Sequence, residues 1–448
     1  MKDIHDMIPG GGHTYSKGDD QFPANAPKFI ARGKGCYLWD ENDNKFLDFS
    51  MSLGTVTLGH AYEPVLKAVR EEILKGVNFC RPSIIEGKLA EILIDEIPSA
   101  EMVKFGKHGS DAVTGAVKLA RAYTGRNIVV RCEQDPFNAV HDWFIGSTVV
   151  SRGVPDTVKN LTLKFNYNDL DQCAKIFEKF TDQIACFVLE PLSFIPPTPD
   201  CSKFNSNQKN CSCSVNNCKS KFLIDLKELC EKNGSLLIFD EVVSGFRFDI
   251  GGVQKMVGVT PHLSAFGKAM ANGFSISALV GQKEIMQLGG IKHNKEKVFL
   301  MSSTHGGETH SIAASIATIE CLKQANAIDH FWNIGNYFIS ELNRVINITK
   351  TNDYIEAYGF GVKPIVVFKN KKGEPCSVTR TFFLQETIDN GILMPFFVPS
   401  LSHTKVEIDF AINIIEKILI KIYKNNQSED LNNYLLDSPI KPVFRKYN

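Results

Sequence analysis

LLIFDEVVSGFRF, residues 236–248, begins as an unbroken apolar run and then sets Asp240 and Glu241 side by side. A short apolar run that ends in polar and turn-forming residues reads as a buried strand. A carboxylate leaving such a strand is costly unless a cation or hydrogen-bond donors meet it. One of the two acids therefore calls for a cationic partner.

Similar runs flank it. NIVVRC (127–132), IACFVLEP (184–191) and SISALVG (275–281) join SLLIFDEV (235–242) as expected strands. Between them FLIDLKELCEKNG places Phe222, Leu226 and Leu229 at helical spacing and stops at Gly234. Alternation of this kind predicts an α/β layer with a mostly parallel sheet. Ligands in such sheets sit beyond the carboxyl ends of the strands, where Asp240 falls. CYLWDENDNKFLDF predicts a hairpin closed at Asn42-Asp43. Helical patterns from about Asp329, such as EIDFAINIIEKILIKIY, predict a second, smaller lobe. The expected organisation is an N-terminal segment, 1–75, that supplies part of the small domain and the substrate rim, a large domain, 76–328, and a C-terminal small domain, 329–448.

The 50 Lys and Arg balance the 50 Asp and Glu, so net charge draws the chain neither to nucleic acid nor to anionic lipid. A small-molecule ligand is expected. The opening MKDIHDMIPGGGHTYSKGDD has no apolar signal core, and no later run approaches the ~18 apolar residues of a membrane span. Both features predict a cytoplasmic protein. Among the 12 cysteines only Cys201, Cys211, Cys213 and Cys218 are clustered. Their spacing departs from the usual paired pattern of a zinc site, so a polar loop with free thiols is the favoured reading and no metal is expected.

Two further stretches carry chemistry. In KHGSDAVTGAVKLARAYTGR, Val113, Ala116, Val117 and Ala120 follow helical spacing, with Ser110 where an N-cap would stand. Gly109 allows close backbone approach, and a helix start favours a phosphate, although Gly-Ser is also an ordinary helix beginning. In SAFGKAMANGFSISALVG, Lys268 is hemmed by Gly267, Ala269 and Ala271. Desolvation there would lower its pKa and favour its use as a nucleophile toward a carbonyl, although this stretch alone also fits an ordinary surface lysine in a loop.

A strand-end acid, a phosphate-suited helix start and a sheltered lysine are the parts needed to hold pyridoxal phosphate. Taken with IPGG, RGKGCYLWDENDNKFLDF, LGHA, GILMPFF and the HT-x-x-EID pattern at 403–409, the chain resembles the class III, fold type I aminotransferases, in the branch of glutamate-1-semialdehyde aminomutase. The resemblance implies a large, mostly parallel, seven-stranded sheet domain and a small α+β domain built from both termini. It implies that Lys268 binds pyridoxal 5'-phosphate covalently and shuttles a proton, with pyridoxamine 5'-phosphate carrying the amino group between half-reactions. Asp240 becomes the acid paired with the ring nitrogen, so the cofactor is the cation that the opening stretch calls for. Val242 packs on one ring face. Phe137, beside Asn138 where relatives often have Tyr-His, stacks on the other. Gly109 and Ser110 bind the phosphate, and Thr304 reaches it from the neighbouring subunit of a homodimer with shared active sites. Glu241 and Arg247 are expected to brace the turn. Glu190 either contacts substrate or cofactor or caps the loop after its strand.

The aminomutase pattern continues from PGG into Ser-Pro-Val-Arg, whose arginine receives the substrate carboxylate. Here PGGGHTYSKGDDQF puts Thr14 for the serine and Lys17 for the arginine, replacing a planar fork by a point charge. The polar set from Thr14 to Gln21 suits a polyhydroxylated ligand. Together with HGSDA and the HDW at 141–143, it resembles aminotransferases of surface-polysaccharide sugars, including octulosonate-type acids. The expected reaction is transfer from an amino acid donor such as glutamate to a sugar carbonyl. A 2,1-aminomutase, or a cofactor-binding protein without turnover, are the alternatives.

Overall fold

Continuous burial marks the strands that the apolar runs predict: all six residues of Ile184–Leu189 and all five of Leu236–Asp240 are buried. Such burial on both faces is the rule for parallel sheets covered by helices. The computed structural model describes residues 3–192, 221–428 and 430–447. Numbered along the chain, the strands are β1 (Ile30–Lys34), β2 (Tyr37–Asp40), β3 (Lys45–Asp48), β4 (Met102–Gly106), β5 (Ile128–Cys132), β6 (Thr162–Phe165), β7 (Ile184–Leu189), β8 (Leu236–Asp240), β9 (Leu263–Phe266), β10 (Ser277–Gly281), β11 (Ile355–Phe360), β12 (Lys363–Phe368) and β13 (Ile392–Leu393).

The chain divides into two units. The larger comprises Gly54–Thr57 and Glu63–Ile328. Its seven-stranded sheet has the order β4-β10-β9-β8-β7-β5-β6. The strands from β9 to β6 run parallel, while β10 is antiparallel to both β9 and β4. On one face Phe187, Leu189, Leu237 and Phe239 pack with Phe177, Phe222 and Leu226 of the helices Leu170–Lys179 and Lys221–Lys232. Side chains alternate along a strand, so Val188 and Ile238 face the other side. The helix Gly109–Thr124, which packs on β7, β9 and β10, covers that side with Val113, Ala116, Val117 and Ala120 buried. Strand β7 is shorter than its apolar run: the Glu190 N–H leaves the sheet and donates to Asp135 Oδ2 at 2.8 Å, and Pro191 has no N–H to give.

The smaller unit comprises Met1–Leu53, Leu58–Tyr62 and Asp329–Asn448. Its main sheet has the order β1-β2-β3-β13, closed by the short parallel pairing of β13 with β3. The hairpin at Asn42-Asp43 forms between β2 and β3. Asp40 holds the turn by accepting the Asn42 and Asn44 N–H groups at 2.9 and 2.7 Å, and Asp43 takes a left-handed φ of 62°. The helices Ser377–Asp389 and Lys405–Ser428 and the β11/β12 pair complete this unit.

No helix among the described residues is long and apolar enough to cross a membrane, and no group of His, Cys, Asp or Glu among them could hold a metal ion. The candidate zinc residues Cys201, Cys211, Cys213 and Cys218 lie outside the described residues.

Candidate active site

Because β5, β7, β8 and β9 run parallel, their carboxyl ends share one edge of the sheet. The chain leaves that edge through Asp135 after β5, Glu190 after β7, Asp240 at the end of β8 and Lys268 after β9. Each apolar run thus delivers one ionisable residue to the same end of the large unit.

Asp240 is buried, with its carboxylate held on both sides. Asn138 Nδ2 donates to Oδ2 at 3.0 Å and the Val242 N–H donates to Oδ1 at 3.1 Å. Burial, followed by the charge of Glu190, pushes its pKa up to about 7, against the opposing pull of the Asn138 amide, the Val242 N–H and Lys268. Asp135 is raised well above the carboxylate range, first by burial and then by Glu190. Asp135 Oδ1 and Asn138 Oδ1 are buried with no hydrogen-bond partner among the described residues. Three buried acids thus gather around Asn138, and a cation next to Asp240 would favour its charged form.

Lys268 is half-buried and opens a single helical turn, Lys268–Ala271, whose other residues are buried. Its φ of 42° lies in the left-handed region, a strain of the kind that collects at functional sites.

Gly109 begins the helix Gly109–Thr124. A Cβ there would lie 2.6 and 2.7 Å from the two methyl carbons of Val242, so the absence of a side chain is what lets Val242 lie over the helix start. The cap differs from the expectation at Ser110: His108 takes the N-cap position, and its N–H donates to Asp111 Oδ2 at 3.3 Å. With Asp111 in that reciprocal position, Ser110 becomes the second residue of the helix. Its buried hydroxyl accepts the Val140 N–H at 3.2 Å. Thr114, one turn on, accepts from Trp143 Nε1 at 2.9 Å and contacts His141 Nδ1 at 3.0 Å. The HDW stretch is thereby pinned to this helix, together with the loop that carries Phe137 and Asn138.

Phe137 is 39% exposed and meets Phe144 edge-on. Thr304 is exposed, and its carbonyl accepts Asn78 Nδ2 at 3.0 Å. Glu241 points away from any solvent-facing role. Fully buried, it accepts Ser244 Oγ at 2.6 Å and the N–H groups of Val253 and Gln254 at 2.8 and 2.9 Å. Arg247, also fully buried, donates to the Gly54 carbonyl at 2.7 Å, and burial brings its pKa down to about 10. Glu241 thus braces the turn after β8, and Arg247 ties that turn to Gly54.

Thr14 and Lys17 belong to the smaller unit. Thr14 precedes the single turn Tyr15–Lys17, and the exposed Lys17 lines a cavity of about 960 Å³ built from that unit alone. Sequence reasoning missed Asp135. Its signal was the pattern already used for Asp240, an acid just past the apolar run of β5.

The family model described as "Aminotransferase class-III" matches residues 18–193 and 212–419. A glutamate-1-semialdehyde 2,1-aminomutase of Methanococcus maripaludis is 32% identical, covering 84% of this chain and 85% of its own. A 3-aminobutyryl-CoA aminotransferase of Cloacimonas acidaminovorans is 31% identical, covering 95% and 96%. An omega-transaminase structure from Sphaerobacter thermophilus and a transaminase structure with PLP bound each superpose with a TM-score of 0.79 at 22% identity, each covering 94% of this chain and 96% of its own. The fold type I sheet expected from the sequence is therefore the one observed. With the family match spanning most of its length, the chain belongs to the class-III aminotransferases, enzymes that work with pyridoxal phosphate.

Proposed function

We propose that the chain is a cytoplasmic, homodimeric aminotransferase that moves an amino group from an amino acid, glutamate by preference, to the carbonyl of an acidic sugar of the octulosonate type destined for surface polysaccharide. When bound, pyridoxal phosphate supplies an electron sink for the carbanion generated at the substrate carbon. The residues present fit it: the acids gathered at Asp240 suit a protonated ring nitrogen, and the start of the helix Gly109–Thr124 suits a phosphate. Asp240 holds the charge on that nitrogen, with Asn138 and the Val242 N–H fixing the carboxylate. Lys268 Nζ anchors the cofactor, then takes the proton from the substrate carbon and returns it. Gly109 and Ser110 hold the phosphate, joined by Thr304 of the other subunit. Val242 and Phe137 take the two ring faces. Glu190, packed beside Asp135, contributes charge to the acid cluster.

The acceptor reading is carried by one observation: Lys17 stands where the aminomutase pattern has an arginine, within a polar run from Thr14 to Gln21. A point charge attracts a carboxylate without fixing its plane, which favours a larger hydroxylated acid over a small semialdehyde. The names of several relatives favour a second reading, a 2,1-aminomutase, which needs no external donor.

Glutamate alone decides between the two. A transferase loses the visible absorbance of the bound cofactor and releases stoichiometric 2-oxoglutarate, and an octulosonate then restores the absorbance. Turnover of glutamate-1-semialdehyde to 5-aminolevulinate without 2-oxoglutarate would establish the aminomutase instead. Lys268→Ala is expected to abolish the borohydride-fixable adduct. An adduct that persists on another lysine removes Lys268 from the role.

A further inference from the structure

The family match ends at residue 419, yet the chain continues to Asn448. Beyond the helix Lys405–Ser428, the segment from Asp430 returns across its own unit and is tied down along its length. Gln385 donates through Nε2 to the Tyr434 carbonyl at 3.1 Å and accepts the Leu436 N–H at 2.9 Å. The Ile440 N–H donates to Thr381 Oγ1 at 3.0 Å, and Leu431 and Ile440 are buried. The tail then reaches the N-terminal polar run. The Lys441 N–H donates to the Asp20 carbonyl at 2.9 Å, Gln21 Nε2 donates to the Lys441 carbonyl at 2.9 Å, and Arg445 Nη2 pairs with Asp20 Oδ2 at 2.5 Å.

Asp437 to Lys441 line the same cavity of about 960 Å³ as Lys17 and Lys28. Cavities of roughly 300–1,000 Å³ are the usual size for small-molecule ligands. Its charges are unevenly answered. Asp19 is paired with His5 at 2.9 Å and Asp20 with Arg445. Asp48 is paired with His60 at 2.9 Å and also accepts from Ser50 and Met51. Asp437 accepts the Ser438 N–H at 2.6 Å. Among the described residues Lys17, Lys28 and Lys441 form no ion pair. Three unanswered lysines therefore stand against one acid, Asp437, that has no cationic partner, so the cavity selects for an anion.

We infer that the C-terminal segment is a specificity wall of an anion-binding site within the smaller unit: Lys441 works with Lys17 and Lys28 to hold the carboxylate of an acidic sugar, and the Asp20–Arg445 pair both pins the wall and cancels the charge of Asp20. The inference rests on the sugar-acid acceptor proposed above and adds a binding element that lies outside the family match.

Calorimetric binding of 3-deoxy-octulosonate and of its neutral methyl ester tests it, using the cofactor-loaded full chain. Lys441 is exposed, so Lys441→Gln is expected to leave the unfolding temperature unchanged. That variant is expected to weaken octulosonate about tenfold, the usual scale for losing one charge-assisted hydrogen bond, with little effect on the ester. Arg445→Gln, which frees Asp20, is expected to weaken the acid in the same selective way. If wild type binds octulosonate and both variants bind it equally well, the wall is overturned and the acceptor assignment stands. Equal weakening of acid and ester overturns the charge assignment. If wild type binds no octulosonate while glutamate still bleaches the cofactor, the sugar-acid acceptor falls and the wall falls with it.

Discussion

At the scale of single residues, Gly109 and Asp240 impose the tightest constraints. Gly109→Ala would drive a methyl group into both Val242 methyl carbons, 2.6 and 2.7 Å away. Overpacking of that kind typically costs about 1–3 kcal/mol, so cofactor affinity is expected to fall by at least fivefold. Val242→Ala removes the obstruction, and the double variant is expected to bind cofactor more tightly than Gly109→Ala alone; additive losses in a double-mutant cycle would contradict the packing. Asp240 sets a pH dependence. Its folded pKa of about 7 lies above its ordinary value of 3.8. An acid shifted upward holds more protons folded than unfolded between those values, so the cofactor-free protein loses stability as pH rises from about 4 to 7. The upward shifts of Asp135 and Glu241 act in the same direction. In cofactor-free protein, Asp240→Asn is expected to flatten the decline in urea midpoint between about pH 5 and pH 7. An unchanged slope would assign the decline to Asp135 and Glu241 alone.

At the scale of elements, the turn after β8 depends on a fully buried carboxylate. Glu241 satisfies two backbone N–H groups and a hydroxyl in the interior. Glu241→Ala leaves these donors unpaired at about 1–3 kcal/mol each. Denaturant unfolding is therefore expected to show a loss of several kcal/mol, with Glu241→Gln losing less because its amide oxygen still accepts. The contrast between Asp240 and Glu241 shows where sequence reasoning succeeds. Apolar runs gave β5, β7, β8 and β10 because strands buried on both faces carry no polar alternation to confuse them, and strand-end acids marked the edge where they gather. Ser110 was misplaced because a cap is decided by the partner three residues on, and Asp111 pairs with His108. Asp135 was missed because its importance comes from Glu190, a residue 55 positions away whose N–H it accepts. Thr114 was invisible for the same reason: its partners lie in the HDW stretch.

At the scale of the whole molecule, the proposed dimer can be tested by mixing two inactive chains. Lys268→Ala removes the proposed anchor and Thr304→Ala the phosphate contact proposed to reach a neighbour. A mixed dimer contains one site assembled from two intact contributions, so some activity is expected to return in verified heterodimers; none returning would place Thr304 within its own site or outside the chemistry. The chain's terminal segments fold together in one unit while the middle forms the other, and the long helical periods after Asp329 were legible in the sequence. The C-terminal return from Asp430 was not, since its anchors are side chains and carbonyls hundreds of residues upstream. The sheet order carries one more consequence. Strand β4 sits at the sheet edge, and its one neighbour there, β10, is encoded about 170 residues later. During synthesis from the N-terminus, β5 to β9 can pair in turn as they emerge, but β4 must wait on the ribosome without a partner until residue 281 is clear. A nascent chain stalled before that point keeps two open strand edges, and it is there that a chaperone would be expected to hold it.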